Sequence, residues 1–262
     1  MLERNDDDGR WIRRFAAAED APYRVVCFPH AGGAASYFLP VAKALAPGAE
    51  VLAIQYPGRQ DRRHEPGVTS IVDLAGTIAS VLPPWLDRPT VLFGHSMGAS
   101  VAFEVARRLE RAGTVALALF VSGRVAPTRI RPETVHQRDD AGLLAEVKKL
   151  SGTDERLFDD EELVRLILPT LRSDYTAVET YRFEPGPRLE TPIHAHLGDT
   201  DPRVTPDEAA DWREQTNGPF TLRTYTGGHF YLNAHREQVI RAITEVLVPS
   251  AALRTASPAE AR

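Results

Sequence analysis

The chain is poor in the features that would tie it to a membrane, a disulfide scaffold or nucleic acid. It has one cysteine, Cys27, so no internal disulfide can form, which fits a reducing compartment. No run of about 18 apolar residues marks a transmembrane helix. The stretch Met1-Leu2-Glu3-Arg4-Asn5-Asp6-Asp7-Asp8 lacks the basic and apolar regions of a secretory signal, and cytoplasm is the expected location. A formal net charge of -5 supplies no global basic field, so neither nucleic acid nor an anionic membrane is expected as a partner. Internal repeats are absent too.

What is present is the composition of an ordinary globular protein, 43% hydrophobic and 26% charged over 262 residues, enough to bury a real core. Short runs rich in β-branched and aromatic residues alternate with helical periodicity. The strands expected are Tyr23 to Phe28, Glu50 to Ile54, Thr90 to Phe93 and Val115 to Val121, with Trp11 to Phe15 as a short edge strand. Helical spacing runs through Phe38, Val41 and Leu45, through Ile71, Leu74, Ile78 and Leu82, and through Val101, Val105 and Leu109. Such alternation predicts right-handed crossovers and a mostly parallel sheet. Cys27 lies inside the first core strand and reads as a small buried hydrophobe.

From Arg124 to Pro187 the alternation stops, and helices are expected over Ala141 to Leu150, Asp160 to Leu171 and Ser173 to Tyr181. An insertion after a sheet strand is best placed as a helical cap over the strand ends, with a separate helical subdomain as the alternative. Tyr175, Tyr181 and Phe183 would line its underside or serve as packing residues. Strands then resume at Pro192 to Leu197 and Phe220 to Tyr225, with a helix Pro206 to Gln215 between them and a last helix through Val239, Ile243 and Val246. This reading divides the chain into a core of 11–123 and 188–248, a helical lid insertion of 124–187, and flexible termini of 1–10 and 249–262.

The chemistry concentrates in loops that follow strands. Gly94-His95-Ser96-Met97-Gly98 sits between a strand and a helix, the context of a nucleophile elbow, in which the central residue is strained and the flanking glycines let strand and helix approach closely. Ser96 is the candidate nucleophile. A serine hydroxyl needs a base and an anion to orient that base. His229, in Thr226-Gly227-Gly228-His229-Phe230, and Asp201, in Gly198-Asp199-Thr200-Asp201-Pro202, both follow strands at the same sheet edge, and the order Ser, Asp, His is that of α/β-hydrolases. Asp199 competes with Asp201 for the third role but reads better as a turn residue bonding its own backbone. The oxyanion donors expected are the backbone N–H of Met97, after the nucleophile, and that of Ala31 in His30-Ala31-Gly32-Gly33.

Other features carry less. His194 and His196, at i and i+2 without cysteine nearby, make a weak metal pair and read as structural. Arg59, Arg62, Arg63 and His64 form a local basic cluster, read as a solvated face; bordering the entrance, it could meet a phosphate or an acidic partner.

Taken together, Phe28-Pro29-His30-Ala31-Gly32-Gly33, Gln55-Tyr56-Pro57-Gly58-Arg59, Gly94-His95-Ser96-Met97-Gly98, Gly198-Asp199-Thr200-Asp201-Pro202 and Gly227-Gly228-His229-Phe230 resemble the type II thioesterases associated with modular polyketide and nonribosomal peptide synthases. The resemblance covers roughly residues 11 to 248. It implies an α/β-hydrolase core with a helical lid, no cofactor, and hydrolysis of stalled or wrong acyl groups from the phosphopantetheine arm of acyl and peptidyl carrier proteins. By motif match Ser96, Asp201 and His229 take the triad positions, and Met97 and Ala31 the oxyanion positions. A small-molecule carboxylesterase or lipase-like hydrolase with the same triad is the alternative, and a noncatalytic binding protein on the same scaffold is a further one. Nothing in the sequence calls for more than one copy.

Overall fold

A computed structural model describes residues 6–16, 18–150 and 160–255. After a short helix α1 (Asp6–Trp11), the strands are β1 (Ile12–Arg13), β2 (Tyr23–Phe28), β3 (Ala49–Ile54), β4 (Thr90–His95), β5 (Ala118–Ser122), β6 (Ile193–Gly198) and β7 (Phe220–Tyr225). They form one seven-stranded sheet in the order β1-β3-β2-β4-β5-β6-β7. Only the edge pair β1 and β3 is antiparallel, with Ile12 opposite Ile54; the other pairs are parallel. This is the expected α/β-hydrolase architecture.

Every residue of β2, β3 and β4 is buried, which explains why these strands read as near-continuous apolar runs. Alternate side chains feed two cores. Val26, Phe28, Leu52, Ile54 and Leu92 pack under α3 (Ile71–Val81) and α4 (Met97–Arg111). Val25, Cys27, Val51, Ala53 and Phe93 pack under α2 (Leu39–Leu45) and α9 (Arg236–Thr255). Burial pushes the Cys27 thiol well up, so it stays protonated.

The chain leaves β2 toward β3 on one side and returns to β4 on the other. Strand order therefore reverses between β2 and β4, whose ends lie side by side with Phe28 opposite Gly94. A crevice opens outside the carboxyl ends of strands at such a reversal. The loops that carry Ala31 and Ser96 leave the sheet at this point.

Between β5 and β6 stand α5 (Asp140–Lys149) and α6 (Glu161–Thr180). Two separate helices were expected over Asp160 to Tyr181, yet α6 is continuous, with Pro169 inside it. The apolar stripe of Leu168, Leu171, Tyr175 and Val178 keeps helical spacing past Pro169, and one missing N–H does not outweigh that packing. Leu143, Leu168, Leu171 and Tyr175 form a small core of their own with Val135. Residues 6–10 lie in α1, and residues 249–255 continue α9. Residues 1–5 and 256–262 of the termini expected to be flexible lie outside the described residues.

α7 (Pro206–Ala210) follows β6 behind a Thr205 and Glu208 capping box. α8 (Tyr231–Ala234) follows the His229 loop. Among the described residues no helix is long and apolar enough to cross a membrane.

Candidate active site

β4 ends at His95 and α4 begins at Met97, leaving Ser96 alone in the turn at φ 55°, ψ −118°. That conformation is costly for a residue with a side chain. Close packing enforces it. A Cβ on Gly94 would stand 2.2 Å from the Gly98 carbonyl oxygen, and one on Gly98 would stand 2.0 Å from that of Phe28. The Ser96 N–H donates to the Ser122 carbonyl at 2.7 Å, pinning the elbow to β5. Met97, as the first residue of α4, carries an N–H that the helix itself leaves unpaired.

His229 lies in the loop after β7, and its Nδ1–H donates to both carboxylate oxygens of Asp201, at 3.0 and 2.9 Å. Both side chains are essentially removed from solvent. This pairing commits Nδ1 to the carboxylate and leaves Nε2 for the cavity. Asp199 does something else. Its carboxylate accepts from the N–H of Gly227 at 2.8 Å, bracing the histidine loop from β6 rather than bonding its own backbone, as the turn reading had it.

Ser96, Met97, His30, Ala31 and His229 line one cavity together with Arg124, Glu133, Val147, Leu150, Tyr175, Val178 and Arg203. All five residues singled out in sequence thus converge there or, for Asp201, stand directly behind. The imidazole of His229 meets the rings of His95 and Phe230. His95 lies 5.0 Å from it between centroids, and His30 sits edge-on between Tyr37 and Phe230, 4.8 Å from each. Burial, then repulsion from His229 and Arg59, lowers His30 to about 3. Burial likewise holds His95 well below the usual histidine range. Both stay neutral at working pH.

The basic cluster is not the solvated face expected. Arg59 and Arg62 are buried; only Arg63 and His64 are exposed. The Arg62 guanidinium lies over the Trp11 ring at 4.3 Å and bonds Glu65 and the Gln55 carbonyl. Arg59 stacks on Tyr56 at 5.1 Å and donates to the Gly33 carbonyl at 3.0 Å. Apolar stems and planar heads let both pack inward, and carboxylates or carbonyls satisfy them there. His194 and His196 flank Phe120, one stacked at 4.7 Å and the other edge-on at 5.3 Å, which gives both a packing role.

Sequence reasoning missed the wall of the cavity. Arg124 follows Gly123 at the end of β5, and the Trp212 Nε1–H holds its carbonyl at 2.8 Å. Arg203, two residues past Asp201, pairs with Glu133 at 2.5 Å and Glu146 at 2.8 Å, tying the acid loop to the insertion. Arg124 and Arg203 read in sequence as ordinary surface cations. No periodicity distinguishes them.

A family model for the thioesterase domain matches residues 23–247. The chain is 50% identical over 246 residues to Thioesterase PikA5 of Streptomyces venezuelae, covering 93% of this chain and 88% of that protein. Its structure is similar to that of the type II thioesterase BorB from the borrelidin biosynthetic cluster, with a TM-score of 0.86 and 53% identity over 90% of this chain and 97% of that one. It is also similar to YbtT, a type II thioesterase from the yersiniabactin NRPS/PKS biosynthetic pathway, with a TM-score of 0.79 and 31% identity over 90% and 99% of the two chains. With the sheet order, the elbow and these likenesses in agreement, the chain belongs to the thioesterase domain family.

Proposed function

We propose that this thioesterase is an editing enzyme that acts through an acyl-enzyme on Ser96, clearing stalled or aberrant acyl groups from the phosphopantetheine arm of acyl and peptidyl carrier proteins. The observation that carries the reading is the meeting of Ser96, Met97, Ala31 and His229 on one cavity wall, with Asp201 bonded behind His229. His229 Nε2 takes the Ser96 proton as Oγ attacks the thioester carbonyl, and the N–H groups of Met97 and Ala31 receive the oxyanion. The pantetheine thiol leaves, a better leaving group than an amine because its pKa is about 8.5. His229 then activates a water that releases the acid and restores Ser96.

Asp201 keeps Nδ1 protonated and stabilises the imidazolium as it forms. The residues 124–187 act as a lid, with α5 and α6 roofing the cavity and excluding bulk water. The enzyme works in the cytoplasm, without a cofactor or metal.

Incubation of the protein with a panel of acyl-loaded carrier domains, followed by mass spectrometry, tests partner and reaction together. Loss of the acyl mass is expected, with Ser96→Ala abolishing it while the fold is retained. Turnover surviving in Ser96→Ala refutes the nucleophile assignment. Rapid cleavage of a simple aryl ester with the carriers untouched would move the assignment to a small-molecule esterase.

A further inference from the structure

The loop bearing Ala31 is held from an unexpected direction. His30, Ala31, Gly32 and Gly33 form a tight turn, closed by the Gly33 N–H donating to the His30 carbonyl at 2.9 Å. Gly32 stands third in it with φ +74°, the signature of a type II turn. Types I and II differ chiefly by a flip of the central peptide, here the one between Ala31 and Gly32. The direction of the Gly32 N–H therefore reports which turn forms. That N–H donates to Asp174 Oδ2 at 2.7 Å.

Asp174 lies on α6, 142 residues away in sequence and 1% exposed. Its carboxylate also bonds the Arg59 guanidinium, whose Nε donates to the Gly33 carbonyl at 3.0 Å and whose Nη1 donates to the Pro57 carbonyl at 2.5 Å. The ion pair thus grips both polar groups on the back of the turn, a donor at Gly32 and an acceptor at Gly33. α6 packs closely where three glycines face it. A Cβ on Gly32 would lie 2.5 Å from Leu171 Cδ2, one on Gly58 would lie 3.1 Å from Thr170 Oγ1, and one on Gly67 would lie 2.6 Å from Ser173.

We infer that Asp174 is a positioning residue for catalysis: with Arg59 it anchors the turn from α6 at Gly32 and Gly33, the two residues after Ala31, and so holds the segment that carries the Ala31 N–H against the oxyanion position. The inference rests on the oxyanion role proposed for Ala31. It makes α6 a support of the oxyanion site as well as a roof, so that α6 leaving its seat would loosen one of the two donors. Asp174 touches no reacting atom; it works through Gly32.

A pair of charge-neutral double variants isolates the contact. Arg59→Met with Asp174→Asn keeps an acceptor for the Gly32 N–H, and Arg59→Met with Asp174→Leu removes it. Neither leaves a buried charge unpaired. Relative to the first, the second is expected to lose about 10- to 100-fold in kcat, somewhat less than deletion of an oxyanion donor, with KM on an acyl-carrier thioester within about threefold. Its Ki for a trifluoromethyl ketone that mimics the tetrahedral adduct should rise by the same factor as kcat/KM falls. Equal kcat in the two, or a loss that follows only the folded fraction seen by circular dichroism, overturns the proposal. Where the leucine variant does not fold, Arg59→Met with Asp174→Asn against Arg59→Met with Asp174→Ala reads the same contrast, retained turnover in the asparagine variant alone supporting it and equal turnover overturning it. Full turnover in Ser96→Ala, by contrast, would remove the underlying triad reading and leave this comparison without its premise.

Discussion

His95, the residue before the elbow serine, packs its ring 5.0 Å from that of His229, and its Nδ1 is hydrogen-bonded to Ser122 Oγ at 2.9 Å, which in turn meets the Tyr231 hydroxyl at 2.7 Å. A buried neutral imidazole thus backs the proposed base. The His30 ring lies 5.9 Å from that of His95.

Because His30, lowered to about 3, and His95, held well below the usual range by burial, stay neutral, neither should add an ionisation to the acid limb of kcat/KM. The acid limb is expected to have unit slope. Steady-state rates on a soluble acyl thioester between pH 5 and 9 check this. A limb of slope two would mean that a neighbouring histidine titrates as well.

The two aspartates of the β6 loop should separate cleanly. Asp201→Asn is expected to lower kcat by about 10³- to 10⁴-fold, because Nδ1 loses its carboxylate and the imidazole its tautomer. Asp199→Asn keeps an oxygen for the Gly227 N–H and should cost less than about tenfold. Parallel kcat measurements decide. Comparable losses would place the orienting role on both.

Burial also ties stability to pH. His196, on β6, is lowered to about 3 by burial and then by the charges of His194 and Arg223, whereas in the unfolded chain it titrates near 6.5. Between those values the unfolded state binds a proton that the folded state refuses, so stability falls as pH drops through that window, by up to about 1.4 kcal/mol per pH unit. His196→Gln should flatten the decline in thermal midpoint from pH 7 to pH 4.5. An unchanged slope would assign the acid sensitivity elsewhere.

The elbow tolerates no Cβ. Gly98→Ala, which sets a methyl 2.0 Å from the Phe28 carbonyl oxygen, should destabilise by more than about 3 kcal/mol or abolish soluble expression. Gly48→Ala meets nothing closer than the Leu45 carbonyl at 3.4 Å and should lie within about 0.5 kcal/mol of the native chain. Denaturant midpoints of the two variants test this.

Much of the site was legible because its signals are local. A glycine on each side of Ser96, a strand before it and a helix after it all fall within a few residues, and chain order placed Asp201 and His229 on loops at the same edge. What escaped was cooperative. Arg59 reads as a surface cation until Asp174, 115 residues on, supplies its counter-charge. Asp174 itself, one turn past Leu171 in an amphipathic helix, is indistinguishable in sequence from a solvated face. The run from 160 to 181 also looked divided, since local propensity around Pro169 carries no knowledge of the core that α6 packs against.

The amino-acid sequence by itself determined the alternating strands and helices, the elbow at Ser96 and the candidate triad, which follow from periodicity, turn chemistry and short spacings along one chain, and its motifs carried the resemblance to type II thioesterases. Only the tertiary structure decided that Asp199 braces the histidine loop, that Arg59 and Arg62 turn inward, and that α6 grips the turn carrying Ala31. Those outcomes depend on desolvation, which makes a charge go where a distant partner waits, and no stretch of sequence records the distance between two groups that meet only after folding.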